Sequence, residues 1–135
     1  MQWDASPHAG FTTGTPWLPV HPASDLVNAQ EARQRPDSVW HFYRRLIALR
    51  HAEPALALGS YRRLDTGDGA VYAFERAFDE RDLVVVCNLS GVQRQVHLPC
   101  LEDGRILLAT CPPPELNDFG VVLPAWSGLV AAKAQ

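Results

Sequence analysis

Residues 37–51, DSVWHFYRRLIALRH, decide how the rest of the chain is read. Val39, Phe42, Tyr43, Leu46, Ile47 and Leu49 recur at spacings of three and four, which places them on one helical face and leaves His41, Arg44, Arg45 and Ala48 away from it. Pro36 cannot sit inside a helix, and the Asp37 carboxylate can accept from the free amides of a first turn, so a helix is predicted to start at Asp37. Arg50 and His51 suit the negative end of its dipole, and Pro54 follows as a stop.

Before this helix, residues 1–35 carry Pro7, Pro16, Pro19 and Pro22 and keep no period of 2 or 3.6, so they read as a long loop. A compact domain seldom holds so long a loop unless it is functional or packs on something else, and Trp3, Phe11 and Trp17 are large apolar groups to leave in water. A short helix is predicted over 28–33, capped by Asn28 with Glu31 three residues on.

After a turn or short helix over 54–59 the period becomes two. Strands are predicted over 61–64, 70–78, 83–87, 92–98, 105–109, 120–123 and 129–132, separated by turn-forming runs such as Asp65-Thr66-Gly67-Asp68-Gly69. Leu83 to Cys87, with three adjacent valines, reads as a central strand covered on both faces, whereas the alternation over 92–98 reads as an exposed one. Pro112-Pro113-Pro114 reads as an extended connector. Seven short strands with regular turns predict a mainly β protein, an antiparallel β-sandwich.

Twelve basic and fifteen acidic residues are interspersed, so no stripe is present to follow a phosphate backbone and nucleic acid is not an expected partner. No apolar run approaches the ~20 residues of a membrane helix, and MQWDASPHAG does not have the pattern of a secretion signal, so a cytoplasmic protein with no membrane partner is expected. Cys87, Cys100 and Cys111 form no C-x-x-C pair, which predicts reduced structural thiols rather than disulfides or a zinc site.

Candidate chemistry is sparse. Asp65, Asp68, Asp79, Glu80, Asp82, Glu102 and Asp103 fall mainly in predicted turns, where carboxylates ordinarily shape the backbone. Ser127 lacks the G-x-S-x-G elbow, no two of the five histidines stand four apart on one helical face, and Gly10, Gly14 and Gly91 make no phosphate cradle. No catalytic residue, metal site or cofactor is therefore expected. Trp3, Phe11, Trp17 and Trp126 can bury against neighbouring structure or offer faces on which sugars stack.

Three N-terminal stretches carry a family resemblance: Met1-Gln2-Trp3-Asp4, His8-Ala9-Gly10-Phe11-Thr12-Thr13-Gly14 and Pro16-Trp17-Leu18-Pro19-Val20. Together they resemble the segment after the eighth barrel strand of the α-glucosidases of glycoside hydrolase family 13, the group of oligo-1,6-glucosidase and trehalulose synthase. The resemblance continues through Ser38-Val39-Trp40-His41-Phe42-Tyr43-Arg44-Arg45-Leu46-Ile47, similar to the family's last barrel helix, and through Gly59-Ser60-Tyr61 into its C-terminal β domain. Beyond that it fades to a strand pattern, best kept in Val84-Val85-Val86-Cys87-Asn88-Leu89-Ser90.

The resemblance implies that residues 1–53 are the loop and last helix of an incomplete (β/α)8 barrel and 54–135 a C-terminal β-sandwich domain. It further implies a retaining enzyme acting on α-linked gluco-oligosaccharides. The family's catalytic acids lie on earlier barrel strands, so the chain alone is expected to be inactive, and its exposed helix face is expected to drive self-association. Met1 aligns with an internal methionine of the family, and the arginine expected three positions earlier has no counterpart. Trp3, Asp4, His8, Phe11 and Trp17 are the substrate-binding positions implied in a full-length parent. The alternative is a non-catalytic carbohydrate-binding or interaction module.

Overall fold

A computed structural model describes residues 1–110, 112–117 and 119–134; Cys111 lies outside them. The chain divides into two compact units, Met1–Arg45 and Leu46–Gln135.

The first unit opens with a loop and a 3-10 turn, Pro7–Gly10, followed by the short helix α1, Ala29–Gln34. The Asn28 side chain accepts from the amide of Glu31 at 2.9 Å, which is the cap its position predicts. Helix α2, Val39–Ala52, starts two residues later than expected. Ser38 takes the capping place, its hydroxyl accepting from the His41 amide at 3.4 Å, while the Asp37 carboxylate turns to Arg35 at 3.6 Å. No residue of α2 is buried, and Val39, Tyr43 and Ile47 on its apolar face are all exposed.

The second unit begins at Leu46 within α2 and continues with helix α3, Pro54–Leu58. Eight strands follow: β1 Ser60–Leu64, β2 Val71–Phe78, β3 Arg81–Asn88, β4 Arg94–Val96, β5 Arg105–Ala109, β6 Glu115–Asn117, β7 Gly120–Leu123 and β8 Gly128–Ala132. They form two antiparallel sheets, ordered β1-β2-β3-β8-β5 and β4-β7-β6. This is the predicted sandwich with one strand more than the sequence showed. The addition, β6, pairs Leu116 with Val121. Gly120 lies at φ +118°, where a Cβ would come within 2.2 Å of the Val96 carbonyl oxygen, so the tight entry to β7 requires glycine.

Period-two alternation builds the core. Val71 and Ala73 of β2, Val84 and Val86 of β3, and Leu129 and Ala131 of β8 meet Val96, Leu98, Val121 and Leu123 from the other side. Full burial of each large aliphatic group contributes about 1.5–3 kcal/mol, so this layer carries the stability of the unit. Strand β3 is central, as expected, with the outer-facing Leu83 packed with Ala55 of α3 and Ala132. The stretch over 92–98 is not an exposed strand: only Arg94–Val96 is strand, and Val96 and Leu98 are buried while Gln95 faces out. Helix α3 is fixed by two arginines. Arg81 grips the Glu53 carboxylate with two hydrogen bonds of 3.0 and 2.7 Å, and Arg76 donates to the Ala55 carbonyl at 3.2 Å.

One charge points inward. Glu75 follows Val71 and Ala73 on the inner face of β2 and is 7% exposed, with Lys133 at 2.5 Å and Arg62 at 2.9 Å. Asp82, expected in a turn, lies in β3 and receives the same Lys133 at 3.2 Å. Burial pushes the Glu75 carboxyl up, but hydrogen bonds from Lys133 and Arg62 outweigh it and hold its pKa below the ordinary glutamate value. A group with a depressed folded pKa stabilises fully above its unfolded pKa, roughly 4.3 for glutamate, and that stability is lost as pH falls through the folded pKa. Urea unfolding of Glu75→Gln should therefore lose less stability than the parent as pH falls from above the unfolded glutamate pKa through the lower folded one. Parallel curves for the two proteins would contradict this.

Candidate functional site

The loop of the first unit is drawn tight by its first four residues. The Ala9 carbonyl accepts from the amides of Trp3 at 2.9 Å and Asp4 at 3.5 Å, which brings the 3-10 turn back over the start of the chain. His8, Ala9 and Gly10 are all left-handed, at φ +59°, +56° and +63°. Two non-glycine residues in succession there carry backbone strain, a feature that gathers at binding and catalytic loops. Gly10 has a second reason to be glycine, since a Cβ would lie 2.7 Å from the Asp4 carboxylate oxygens.

Asp4 works inside this turn. Its Oδ1 accepts from the Ser6 amide at 2.9 Å and from the Ser6 hydroxyl, and those bonds hold its pKa below the usual carboxylate value. The carboxylate is thus kept ionised and occupied as an anchor of the loop.

The implied sugar-binding residues separate into two depressions. His8, Phe11 and Trp17 line one of about 500 Å³ together with Pro16, Leu18 and His21. Trp3 and Asp4 line another of about 750 Å³ with Gln30, Arg33 and Trp40. The first wall is aromatic and open: Phe11 is 57% exposed and Trp17 86%. Such faces can stack on the apolar side of a sugar ring, while His8 and His21 offer hydrogen-bonding edges.

The second depression contains residues the sequence did not single out. The Trp40 ring has the Arg33 guanidinium 5.8 Å from its centre and the Arg44 guanidinium at 5.7 Å. Arg44 stands four residues after Trp40, and that spacing was a legible signal. His41, read as lying off the apolar face of the helix, is half-buried, with Nε2 3.0 Å from the Arg33 carbonyl oxygen and its ring edge-on to Trp40 at 4.7 Å.

In the second unit the turn reading of the acids accounts for Asp65 and Asp68, which accept from the amides of Gly67 at 3.0 Å and Ala70 at 2.8 Å. Ser127 is buried and donates to the Pro124 carbonyl at 2.7 Å, so it shapes a turn. Cys87 and Cys100 are free thiols, both pushed up in pKa by burial. Among the described residues no group of three His, Cys, Asp or Glu is placed to hold a metal ion, and no helix is long and apolar enough to cross a membrane.

The chain matches two known families in succession. Residues 1–59 match the family described as alpha amylase, catalytic domain, and residues 59–130 the family described as domain of unknown function DUF3459. An oligo-1,6-glucosidase of Halalkalibacterium halodurans is 41% identical over 122 residues, covering 88% of this chain and 22% of the relative. A trehalose-6-phosphate hydrolase of Bacillus subtilis is 34% identical over 99 residues, covering 73% of this chain and 18% of that protein. Among solved structures, trehalulose synthase MutB from Pseudomonas mesoacidophila MX-45 is similar at a TM-score of 0.86 and 37% identity, over 98% of this chain and 24% of that one. The chain thus spans about a fifth to a quarter of the proteins it matches. With a catalytic-domain segment running into an antiparallel β-sandwich, and with those relatives, the chain belongs to the α-amylase family of glycosidases, glycoside hydrolase family 13, and corresponds to its C-terminal part.

Proposed function

We propose that this chain serves as the closing part of an α-glucosidase, a retaining enzyme that acts on α-glucosidic bonds of small oligosaccharides in carbohydrate metabolism. The observation that carries this reading is the likeness to trehalulose synthase MutB, which runs through both units over 98% of the chain. Catalysis in this reading belongs to carboxylates elsewhere in the enzyme, and residues 1–53 act as the end of its barrel with 54–135 as the appended domain. Loops that follow barrel strands lie at the catalytic face of such barrels, so the strained turn from Trp3 to Phe11 and the exposed Trp17 border the sugar. Helix α2, with none of its residues buried, seats its apolar face on other parts of the catalytic domain. Separated from them the chain self-associates through that face. The setting is cytoplasmic, a reading supported by the free thiols of Cys87 and Cys100.

The test uses a chimera in which this chain replaces the matching part of the H. halodurans oligo-1,6-glucosidase. His8→Ala and Phe11→Ala in that chimera should each change the ratio of kcat/KM for isomaltose and maltose by about tenfold, the scale of one lost sugar contact, with little change in Tm. A fall in Tm with the ratio unchanged would overturn the assignment of the loop to the sugar.

A further inference from the structure

Arg33, Trp40 and Arg44 have no part in the reading above, and the depression they mark differs in chemistry from the first. One wall of it is a face of α1: Gln30, Arg33 and Gln34 stand three and four residues apart, side by side on the helix, and all three line the depression. Trp3 is brought there because its carbonyl accepts from the Gln30 amide at 2.9 Å, which draws the start of the chain against α1. Trp40 is steadied by the edge-on ring of His41, whose Nε2 lies 3.0 Å from the Arg33 carbonyl oxygen. Two exposed indoles, two side-chain amides and a guanidinium therefore line one depression of about 750 Å³.

The positive charge gathered there is uncompensated. Arg33 and Arg44 lie 5.8 and 5.7 Å from the centre of the same Trp40 ring. Among the described residues neither is ion-paired with a carboxylate; Asp37 goes to Arg35 instead. Asp4 lines the same depression, but its Oδ1 is engaged by the amide and hydroxyl of Ser6 within its own turn. Like charges on one ring repel, and the negative face of the indole offsets that only in part, so an anion bound beside them relieves the repulsion. A guanidinium fork matches two oxygens of a phosphate at once, and side-chain amides donate further hydrogen bonds. The indoles offer apolar faces to whatever organic group the phosphate carries.

We propose that this depression is a binding site for a phosphate-type oxyanion. Arg33 is its principal ligand, Arg44 adds a second positive charge, and Gln30 and Gln34 supply hydrogen-bond donors. The oxyanion belongs either to a phosphate monoester or to free inorganic phosphate, and the aromatic lining favours the ester. The site is built within the first unit alone and does not depend on the glucosidase assignment.

The experiment titrates the full chain, at constant ionic strength, with glucose 6-phosphate, inorganic phosphate and glucose, and follows the indole N–H signals of its four tryptophans by NMR. Glucose 6-phosphate should shift the Trp3 and Trp40 signals and leave that of Trp126 in place, with inorganic phosphate acting more weakly and glucose not at all. Equal responses to the two phosphate compounds would support the oxyanion site and assign it to free phosphate. Arg33→Gln should weaken the response to glucose 6-phosphate at least about tenfold, as expected for a lost charge-assisted pair, and Arg44→Gln about threefold. In both variants an unchanged Trp17 signal marks a loop that keeps its fold. Trp3 and Trp40 signals unmoved by either phosphate compound would overturn the proposal. An equal shift with glucose, or a response that Arg33→Gln leaves intact, would overturn it too. Each of these failures leaves the glucosidase reading standing, because that reading is tested by turnover of the chimera.

Discussion

Purified alone, this chain is expected to show no turnover of an aryl α-glucoside above a protein-free blank. Retention of configuration requires two carboxyl groups about 5–5.5 Å apart, one of them kept protonated near neutral pH by a raised pKa. The chain's chemistry runs the other way. Asp4, Glu53 and Glu75 all have lowered pKa values, held by Ser6, Arg81 and the Lys133–Arg62 pair respectively. Each is an ionised structural acid with its oxygens engaged, and Asp65 and Asp68 are spent on turns. Loss of catalytic groups that act as a unit removes on the order of 10⁶ in kcat, which puts any residue of activity below the blank. Hydrolysis that tracks the protein through purification would refute this.

The second large effect is on stability. Asn88→Ala should lower the unfolding free energy by about 3 kcal/mol, read as a shift in urea midpoint at constant slope. The side chain is 1% exposed; its Nδ2, with two N–H donors, is shared among the carbonyls of Val92, Leu123 and Pro124, and its Oδ1 accepts from the Ser90 amide and hydroxyl. Alanine takes the amide donor from the buried Leu123 carbonyl and the acceptor from the Ser90 amide, while the Val92 and Pro124 carbonyls keep the hydroxyls of Ser90 and Ser127; each orphaned group costs about 1–3 kcal/mol unless water reaches it. A loss below about 1 kcal/mol would mean that solvent replaces the amide and that the turns are not clamped as described.

The clamp also shows where sequence reading stops. Asn88 to Gly91 reads as a turn, and the chain does turn, but only after Asn88, which ends β3 and whose partners Leu123 and Pro124 are 35 and 36 residues away. Local pattern was enough for α2, because spacings of three and four along one stretch belong to that stretch alone. It was not enough for the helix start, where Ser38 and Asp37 compete for one cap and an arginine two residues back draws the aspartate off. Strand β6 was missed because three residues, Glu115–Asn117, give alternation no room to show; its pairing with β7 defines it. Glu75 was legible in principle, as a charge continuing the inward series of Val71 and Ala73, yet its cations come from β1 and from the residue after β8.

The barrel loop divides in the same way. Trp3, Asp4, His8, Phe11 and Trp17 are close in sequence and were grouped on that basis, through the resemblance. The left-handed turn at His8, Ala9 and Gly10 sets Trp3 and Asp4 in one depression and the other three in another. No propensity predicts two consecutive non-glycine residues with positive φ, since the conformation is imposed by hydrogen bonds to residues outside the turn.

The proposal that this chain supplies the C-terminal part of an α-glucosidase is open to direct test. Turnover of isomaltose by the chimera with the H. halodurans enzyme tests it most directly, measured beside the intact relative and beside this chain alone. The predicted result is a chimera with kcat/KM within about tenfold of the relative, and no turnover by the chain alone. A chimera that folds with a cooperative thermal transition yet leaves isomaltose untouched would contradict it.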